Sequence, residues 1–287
     1  MTDNERHFGT VCRSFLFVPG DRLDLVSKAV KGSSDAICID LEDGVAGTAK
    51  DTARYMLPEA LQVVIEAGCT AYVRVNPLQD RANHVQDLAA LTVQPDGIVL
   101  PKAEGWLQAA SVTKGLSLSG NLRLVAMIED PKALLAFEQE AMMPGAVDAL
   151  LLGTEDFSAY CGCSPDAPLI TAAYVRMVMV AKAAGVKAYG MPIGIADYKN
   201  LEAFNKAACF AKHAGGDGAF AIHPRQIEIL NTVFSITEDA VAWAQNVITV
   251  FEKARAAGQA ITTLDGEMVD QPVYARARKL LSGTTAL

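Results

Sequence analysis

Short apolar runs recur along the chain, each followed by a stretch with helical spacing of its apolar residues. The runs are 13–19 (RSFLFVP), 36–41 (AICIDL), 71–76 (AYVRVN), 97–101 (GIVLP), 123–129 (RLVAMIE), 148–153 (DALLLG), 186–192 (VKAYGMP) and 218–223 (GAFAIH). Runs this continuously apolar predict strands buried on both faces, as in a parallel sheet covered by helices. The intervening segments predict helices over 21–31, 50–67, 84–91, 105–117, 131–141, 171–184 and 199–214. Gly185 sits where a C-terminal helix glycine belongs, and Pro131 where a first-turn proline belongs. Eight such alternations predict an α/β fold closed as a (β/α)8 TIM barrel, because an open doubly wound sheet usually has fewer strands. Beyond it, 238–258 reads as an amphipathic helix, 258–271 as a looser connector and 272–281 as a terminal helix. The expected organisation is a barrel over 1–236 and a C-terminal helical extension over 237–287, folded on the barrel or reaching a neighbouring subunit.

The 287 residues match one barrel plus a tail, and 51% hydrophobic residues supply a large core. Lys and Arg number 25 against 33 Asp and Glu, a net charge of −8 without a basic stripe, which argues against nucleic acid as a partner. No stretch of about 18 apolar residues is present, so no membrane span is expected. The first residues lack the pattern of a signal or transit peptide, and a cytoplasmic location is expected. Six cysteines include no Cys-x-x-Cys; Cys161-Gly-Cys163 is a poor zinc spacing, and reduced thiols are the expected state. Neither a Gly-x-Gly-x-x-Gly after the first strand nor a Gly-x-Ser-x-Gly elbow is found.

The chemistry gathers where the predicted strands end. Asp40 and Glu42 lie two apart on the second strand and share a face, with Asp43 on the other. Arg74 lies on the third strand, Lys102 follows the fourth, Glu129 ends the fifth, Asp156 closes the sixth and His223 ends the eighth. Ionisable groups on successive strand ends suit a barrel enzyme; a salt-bridge ring at the barrel mouth is the structural alternative. Two carboxylates favour a hard cation, so Glu129 and Asp156 are expected to ligate Mg²⁺, with Mn²⁺ as a substitute and Glu155 as the alternative to Asp156. Asp40 and Glu42 would stand behind them and orient Arg74 or Lys102. Arg74, among buried-type residues, needs an anion: a substrate carboxylate in two-point geometry, or Glu42. His223 reads as a base or, more simply, as a core histidine bonded to backbone.

Eight motifs in order resemble the citrate lyase β-chain-like family, the malyl-CoA and citramalyl-CoA lyase group of the HpcH/HpaI aldolase superfamily. They are RSFLFVPGDR at 13–22, IDLEDGV at 39–45, VRVNPL at 73–78, LPKAE at 100–104, IE at 128–129, LGTEDF at 152–157, AIHPRQI at 221–227 and DGEMVD at 265–270. The resemblance implies a homo-oligomer, trimer or hexamer, with Mg²⁺ on Glu129 and Asp156. It implies that Arg74, with Lys102, meets the substrate's carboxyl end. Coenzyme A, as part of the substrate, would meet Arg22 and, less directly, Lys28. Asp270, or in second place Asp265, would reach a neighbouring active site as acid/base. The implied reaction is retro-Claisen cleavage of a carboxylated 3-hydroxyacyl-CoA to acetyl-CoA and pyruvate or glyoxylate. Alternatives are a citrate lyase β subunit working on an acyl carrier protein, and a malyl-CoA thioesterase or malate synthase-like enzyme.

The chain departs from the family in three places. Ile-Glu-Thr-Ala is replaced by Ile128-Glu129-Asp130-Pro131, an Asp often found near position 190 is missing, and the usual Gly-x-x-Gly-Lys becomes 215–219 (GGDGA).

Overall fold

The computed structural model describes residues 12–114, 122–140, 142 and 146–284. Its strands are β1 (Ser14–Pro19), β2 (Ala36–Asp40), β3 (Thr70–Arg74), β4 (Gly97–Leu100), β5 (Arg123–Ile128), β6 (Ala149–Leu152), β7 (Lys187–Tyr189) and β8 (Ala219–Ala221). Each pairs in parallel with the next in sequence, and β1 also pairs with β8. A parallel bridge between Tyr189 and Gly218 closes the ring between β7 and β8. That seam is short, and Asp217 reinforces it: its backbone N–H donates to the Ala188 carbonyl at 2.8 Å, and its carboxylate accepts the Ala188 N–H at 2.9 Å. The family departure at 215–219 therefore carries a structural role, with Lys182 and Lys187 pairing with the same carboxylate.

The helices are α1 (Leu23–Ala29), α2 (Lys50–Glu66), α3 (Arg81–Ala90), α4 (Trp106–Lys114), α5 (Pro131–Gln139), α6 (Thr154–Cys161), α7 (Pro168–Ala184), α8 (Leu201–His213) and α9 (Pro224–Phe234). Residues 115–117 and 141 of the predicted helices lie outside the described residues. Asp130 caps α5 by accepting the Ala133 N–H at 2.8 Å, and Pro131 follows in the first turn. This explains the departure after Glu129 as a helix start.

The alternation of side chains along each strand builds two layers. Phe15, Tyr72, Val99, Met127, Leu151, Tyr189 and Phe220 point into the barrel, while their neighbours pack against the helices. Inside, Phe15 stacks on Phe220 at 4.2 Å and meets Tyr72 and Tyr189 edge-on at 5.2 and 4.8 Å. Gly97 makes room for that ring set, since a Cβ there would lie 2.2 Å from Tyr72 Cε1.

Two helices escaped the sequence pattern. The eight-residue α6 was hidden behind the sixth strand, and α9 behind the eighth. Asp156, expected to close a strand, lies instead in the first turn of α6, because β6 stops at Leu152. Glu42 likewise lies past the end of β2, so its side chain is placed by the following turn and not by strand alternation.

Residues Cys12–Phe234 form one compact unit, and those from Ser235 belong to a second. The second contains α10 (Glu238–Ala256), β9 (Thr262–Leu264), β10 (Glu267–Val269) and α11 (Gln271–Thr284). The predicted loose connector 258–271 is thus largely an antiparallel hairpin. Asp265 and Gly266 turn it, with φ of 50° and 86°, the positive pair that an Asp-Gly hairpin turn favours. Phe251 stacks on Tyr274 at 4.9 Å in the small core of this unit. Among the described residues no helix is long and apolar enough to cross a membrane.

A buried polar network fixes the loop after β3. Asp87 is fully buried and accepts from Arg54 at 2.8 Å and from the backbone and side chain of Asn76 at 2.6 Å each. Asn76 Oδ1 in turn accepts from Lys50 Nζ, which also bonds the carbonyls of Leu41 and Glu42. Asp87→Ala would leave Arg54 Nε and the Asn76 backbone N–H without their acceptor in the interior, although Arg54 keeps Asp51 and Asn83. Urea unfolding should show a loss of about 3–5 kcal/mol.

Candidate active site

The site begins with two strand-end residues. Asp40 closes β2 and Arg74 closes β3, in register with each other. Arg74 Nε and Nη2 donate to the two oxygens of Asp40 at 2.7 and 2.6 Å. Its Nη1 stands 3.1 Å from Glu42 Oε2, an ion pair without hydrogen-bond alignment. The guanidinium lies 4.6 Å from the centre of the Phe17 ring. Burial works against its charge, but the hydrogen bonds and charge of Asp40, then the charge of Glu42, hold it firmly protonated. The two-point face of Arg74, expected to be open to a substrate carboxylate, is taken by Asp40. A buried guanidinium needs its counter-charges before any ligand arrives.

Asp40 also accepts the backbone N–H groups of Glu42 and Gly44, each at 2.9 Å. This tight turn holds Glu42 over the barrel mouth. Glu42 then receives Lys102 Nζ at 3.0 Å. Burial raises the Glu42 pKa, with Arg74 and Lys102 acting against that rise.

Lys102 is a junction. It follows β4 with a left-handed φ of 49°, uncommon for a side chain of this type. In that conformation its backbone N–H donates to Glu129 Oε2 at 2.6 Å while its side chain reaches Glu42.

Glu129 directly follows β5 and is only 4% exposed. Its Oε1 is buried without a hydrogen-bond partner. Burial, then the charges of Glu42 and Asp156, push its pKa up to about 8. Gly153 makes this placement possible: a Cβ there would lie 2.5 Å from Glu129 Cγ and 2.9 Å from Oε1.

Asp156 is half-buried and lines a cavity of about 580 Å³ together with Asp40, Asp43, Arg74 and Glu155. Its charge acts on Glu129. Glu155 is exposed and leans on the loop after β7, with Oε1 3.4 Å from the Ala196 N–H. The buried orphan oxygen of Glu129 and the half-buried carboxylate of Asp156 would make a donor set that suits a hard divalent cation completed by solvent and ligand oxygens. Among the described residues no group of three His, Cys, Asp or Glu side chains makes a closed metal cage.

The other predicted residues fall elsewhere. His223 is half-buried, not a core residue; its Nδ1 accepts the Arg225 N–H at 3.2 Å and its ring stacks on exposed Tyr198 at 4.8 Å. Arg22 is turned to the surface and paired with Asp24 at 2.9 Å. Lys28 lies 3.6 Å from the same Asp24 and lines a second cavity, of about 410 Å³, with Lys31. Asp270 belongs to the second unit, where its Oδ1 accepts the Val273 N–H at 3.1 Å and caps α11. Asp265 is occupied with the hairpin turn.

Met127, Leu151 and Gly153 were not singled out from the sequence, yet all three line the cavity. Period-two spacing from Glu129 was the available signal for Met127.

A parallel barrel with a charged cavity at the C-terminal ends of its strands is the architecture of a (β/α)8 enzyme. More narrowly, the chain belongs to the HpcH/HpaI aldolase/citrate lyase family, whose model matches residues 13–224. It is 33% identical over 281 residues to citrate lyase subunit beta of Escherichia coli strain K12, covering 94% of this chain and 92% of that one. It is 26% identical over 294 residues to the mitochondrial citramalyl-CoA lyase of Homo sapiens, covering 96% and 86%. Its fold matches that of the protein CitE from Mycobacterium tuberculosis, solved with magnesium, acetoacetate and coenzyme A. That match has a TM-score of 0.74 at 24% identity and covers 96% of this chain and 98% of the other.

The raised pKa of Glu129 has a signed consequence for metal-free protein. Between the ordinary value of 4.5 and about 8, the folded chain keeps a proton that the unfolded chain has released. This group therefore removes stability as pH rises through that window. Glu129→Gln imitates the protonated form and lacks the dependence. Melting curves in EDTA should show wild type losing ground to the variant from about pH 5 to about pH 8; parallel curves would contradict a buried, raised Glu129.

Proposed function

We propose that the cavity is the active site of a Mg²⁺-dependent carbon–carbon lyase that cleaves a carboxylated 3-hydroxyacyl-CoA, citramalyl-CoA or malyl-CoA, by retro-Claisen chemistry. The observation that carries this reading is the buried, unpartnered Oε1 of Glu129, packed over Gly153, which lines the cavity that also holds Asp156. Family membership and named lyase relatives support the reaction class. Glu129 and Asp156 would hold the ion, with Mn²⁺ as a substitute. Bound there, it would acidify the substrate hydroxyl and stabilise the carbonyl that replaces it.

The chain's own residues do the rest. Arg74, locked by Asp40 and Glu42, presents its remaining N–H groups to the substrate's carboxyl end. Lys102, whose side chain is 39% exposed, adds a second positive group there. A base takes the hydroxyl proton; the carbonyl forms as the carbon–carbon bond breaks, and the electron pair of that bond passes to the thioester as an enolate. A carboxylic acid must then protonate that carbon. Asp270 of a neighbouring subunit fills this role, in a trimer or hexamer. The coenzyme A arm follows the second cavity, which shares Phe17, Pro19 and Ile222 with the first and is lined by Lys28 and Lys31. Arg22 would have to leave Asp24 to join them. A cytoplasmic location suits a CoA-dependent metabolic enzyme.

The greater identity to citrate lyase β chains favours one second reading, action on a citryl thioester of an acyl carrier protein. Purified protein with Mg²⁺ and (S)-citramalyl-CoA or (S)-malyl-CoA separates the two. EDTA-sensitive acetyl-CoA plus pyruvate or glyoxylate, followed by mass spectrometry, is expected. Free CoA with intact hydroxy acid would mean a thioesterase, and no turnover would mean a carrier-bound substrate.

Asp270→Asn tests the acid separately. Asn caps a helix as well as Asp does, so the melting temperature should hold. Cleavage should fall about 100-fold or more if Asp270 moves the proton.

A further inference from the structure

A few charged groups line the cavity among a largely apolar wall: Arg74, Asp40 and Asp156 stand with Met127, Leu151, Met191, Ile193 and Phe220. Both kinds of group meet at Gly153. A Cβ placed on Gly153 would lie 2.9 Å from Glu129 Oε1 and also 2.9 Å from Met127 Cε. The thioether methyl and the orphan carboxylate oxygen therefore flank the same spot above that glycine. A substituent seated at that spot meets Met127 as well as Glu129.

The charge inventory points the same way. Among the described residues lining this cavity Arg74 is the one cation, and it is already matched by Asp40 and Glu42. The remaining charged lining groups, Asp43, Glu155 and Asp156, are acidic. One substrate carboxylate can be served by Arg74, Lys102 and a divalent ion. A second would be desolvated among carboxylates and methyl groups, at a cost no residue offsets.

We infer that Met127 is a specificity-determining residue that selects, beside Glu129, a carbinol carbon bearing a hydrocarbon substituent and only one free carboxylate. This rests on the lyase reading and narrows it. The released partner is a 2-oxo acid whose second substituent is alkyl, a methyl or ethyl group. The hydrogen of a malyl group leaves the Met127 contact empty, and the carboxymethyl arm of a citryl group meets it with charge. One missing methylene in an apolar pocket changes selection by about 10-fold or more.

The test uses equilibrium binding as well as turnover. Calorimetry with Mg²⁺ would compare glyoxylate, pyruvate, 2-oxobutanoate and oxaloacetate as ligands of the whole protein. Pyruvate and 2-oxobutanoate are expected to bind about 10-fold tighter than glyoxylate, and oxaloacetate more weakly than pyruvate. Met127→Ala should shift the preference toward 2-oxobutanoate, and Met127→Leu should return it to the wild-type order; melting curves report whether each variant folds. Glyoxylate equal to pyruvate, oxaloacetate ahead of both, or no binding by any overturns the inference, while acetyl-CoA release in the thioester assay keeps the lyase reading. The wild-type preference without turnover of either thioester removes the CoA-thioester reading and leaves the Met127 selection standing.

Discussion

Arg74 places a permanent positive charge at the end of a strand buried on both faces, and much of the site follows from neutralising it. Asp40 meets it from the adjacent strand with both oxygens. The same carboxylate gathers the N–H groups of Glu42 and Gly44, so neutralising Arg74 also folds the turn that brings Glu42 over the barrel. Glu42 draws in Lys102, and the left-handed backbone of Lys102 aims an N–H at Glu129. Side chains from four successive strand ends are thereby linked, and the chain ends on one oxygen without a partner. A positioned but unsatisfied carboxylate is costly for folding and useful for holding a cation, a common bargain at functional sites.

The ring geometry makes that linkage possible. Parallel strands in unbroken order bring every strand's C-terminal end to one face. The weakest seam, between β7 and β8, is closed by one bridge and by Asp217, which takes both backbone groups of the opposite strand. Apolar residues from β5, β6 and β8 fill the interior, and Met127, Leu151 and Phe220 among them also line the cavity beside its charged groups. On the proposed reading, substrate chemistry and substrate shape would be set by neighbouring residues of one strand, Glu129 after β5 and Met127 within it.

Much of this was legible in the amino-acid order. Continuous apolar runs can be buried only between two covered faces, so eight of them spaced by helices required a parallel barrel. The strand-end positions of Asp40, Arg74, Lys102 and Glu129 followed from the same periodicity. Periodicity stops at the strand end, however, and the following turn obeys its own local bonding. That is why Glu42 and Asp156 were assigned to strands, why α6 and α9 were missed, and why a tight hairpin was taken for a loose connector.

What the sequence by itself determined is the class of fold, the face that carries chemistry and the identity of the charged groups there. Those depend on burial patterns within single segments, which are local properties. Only the tertiary structure decided the pairing: that Asp40 takes the two-point face of Arg74, that Lys102 turns left-handed to hold Glu129, and that Gly153 leaves room for both Glu129 and Met127. Each joins residues from different strands, and a contact across a closed ring is fixed by the register and packing of all its neighbours, which no single segment contains.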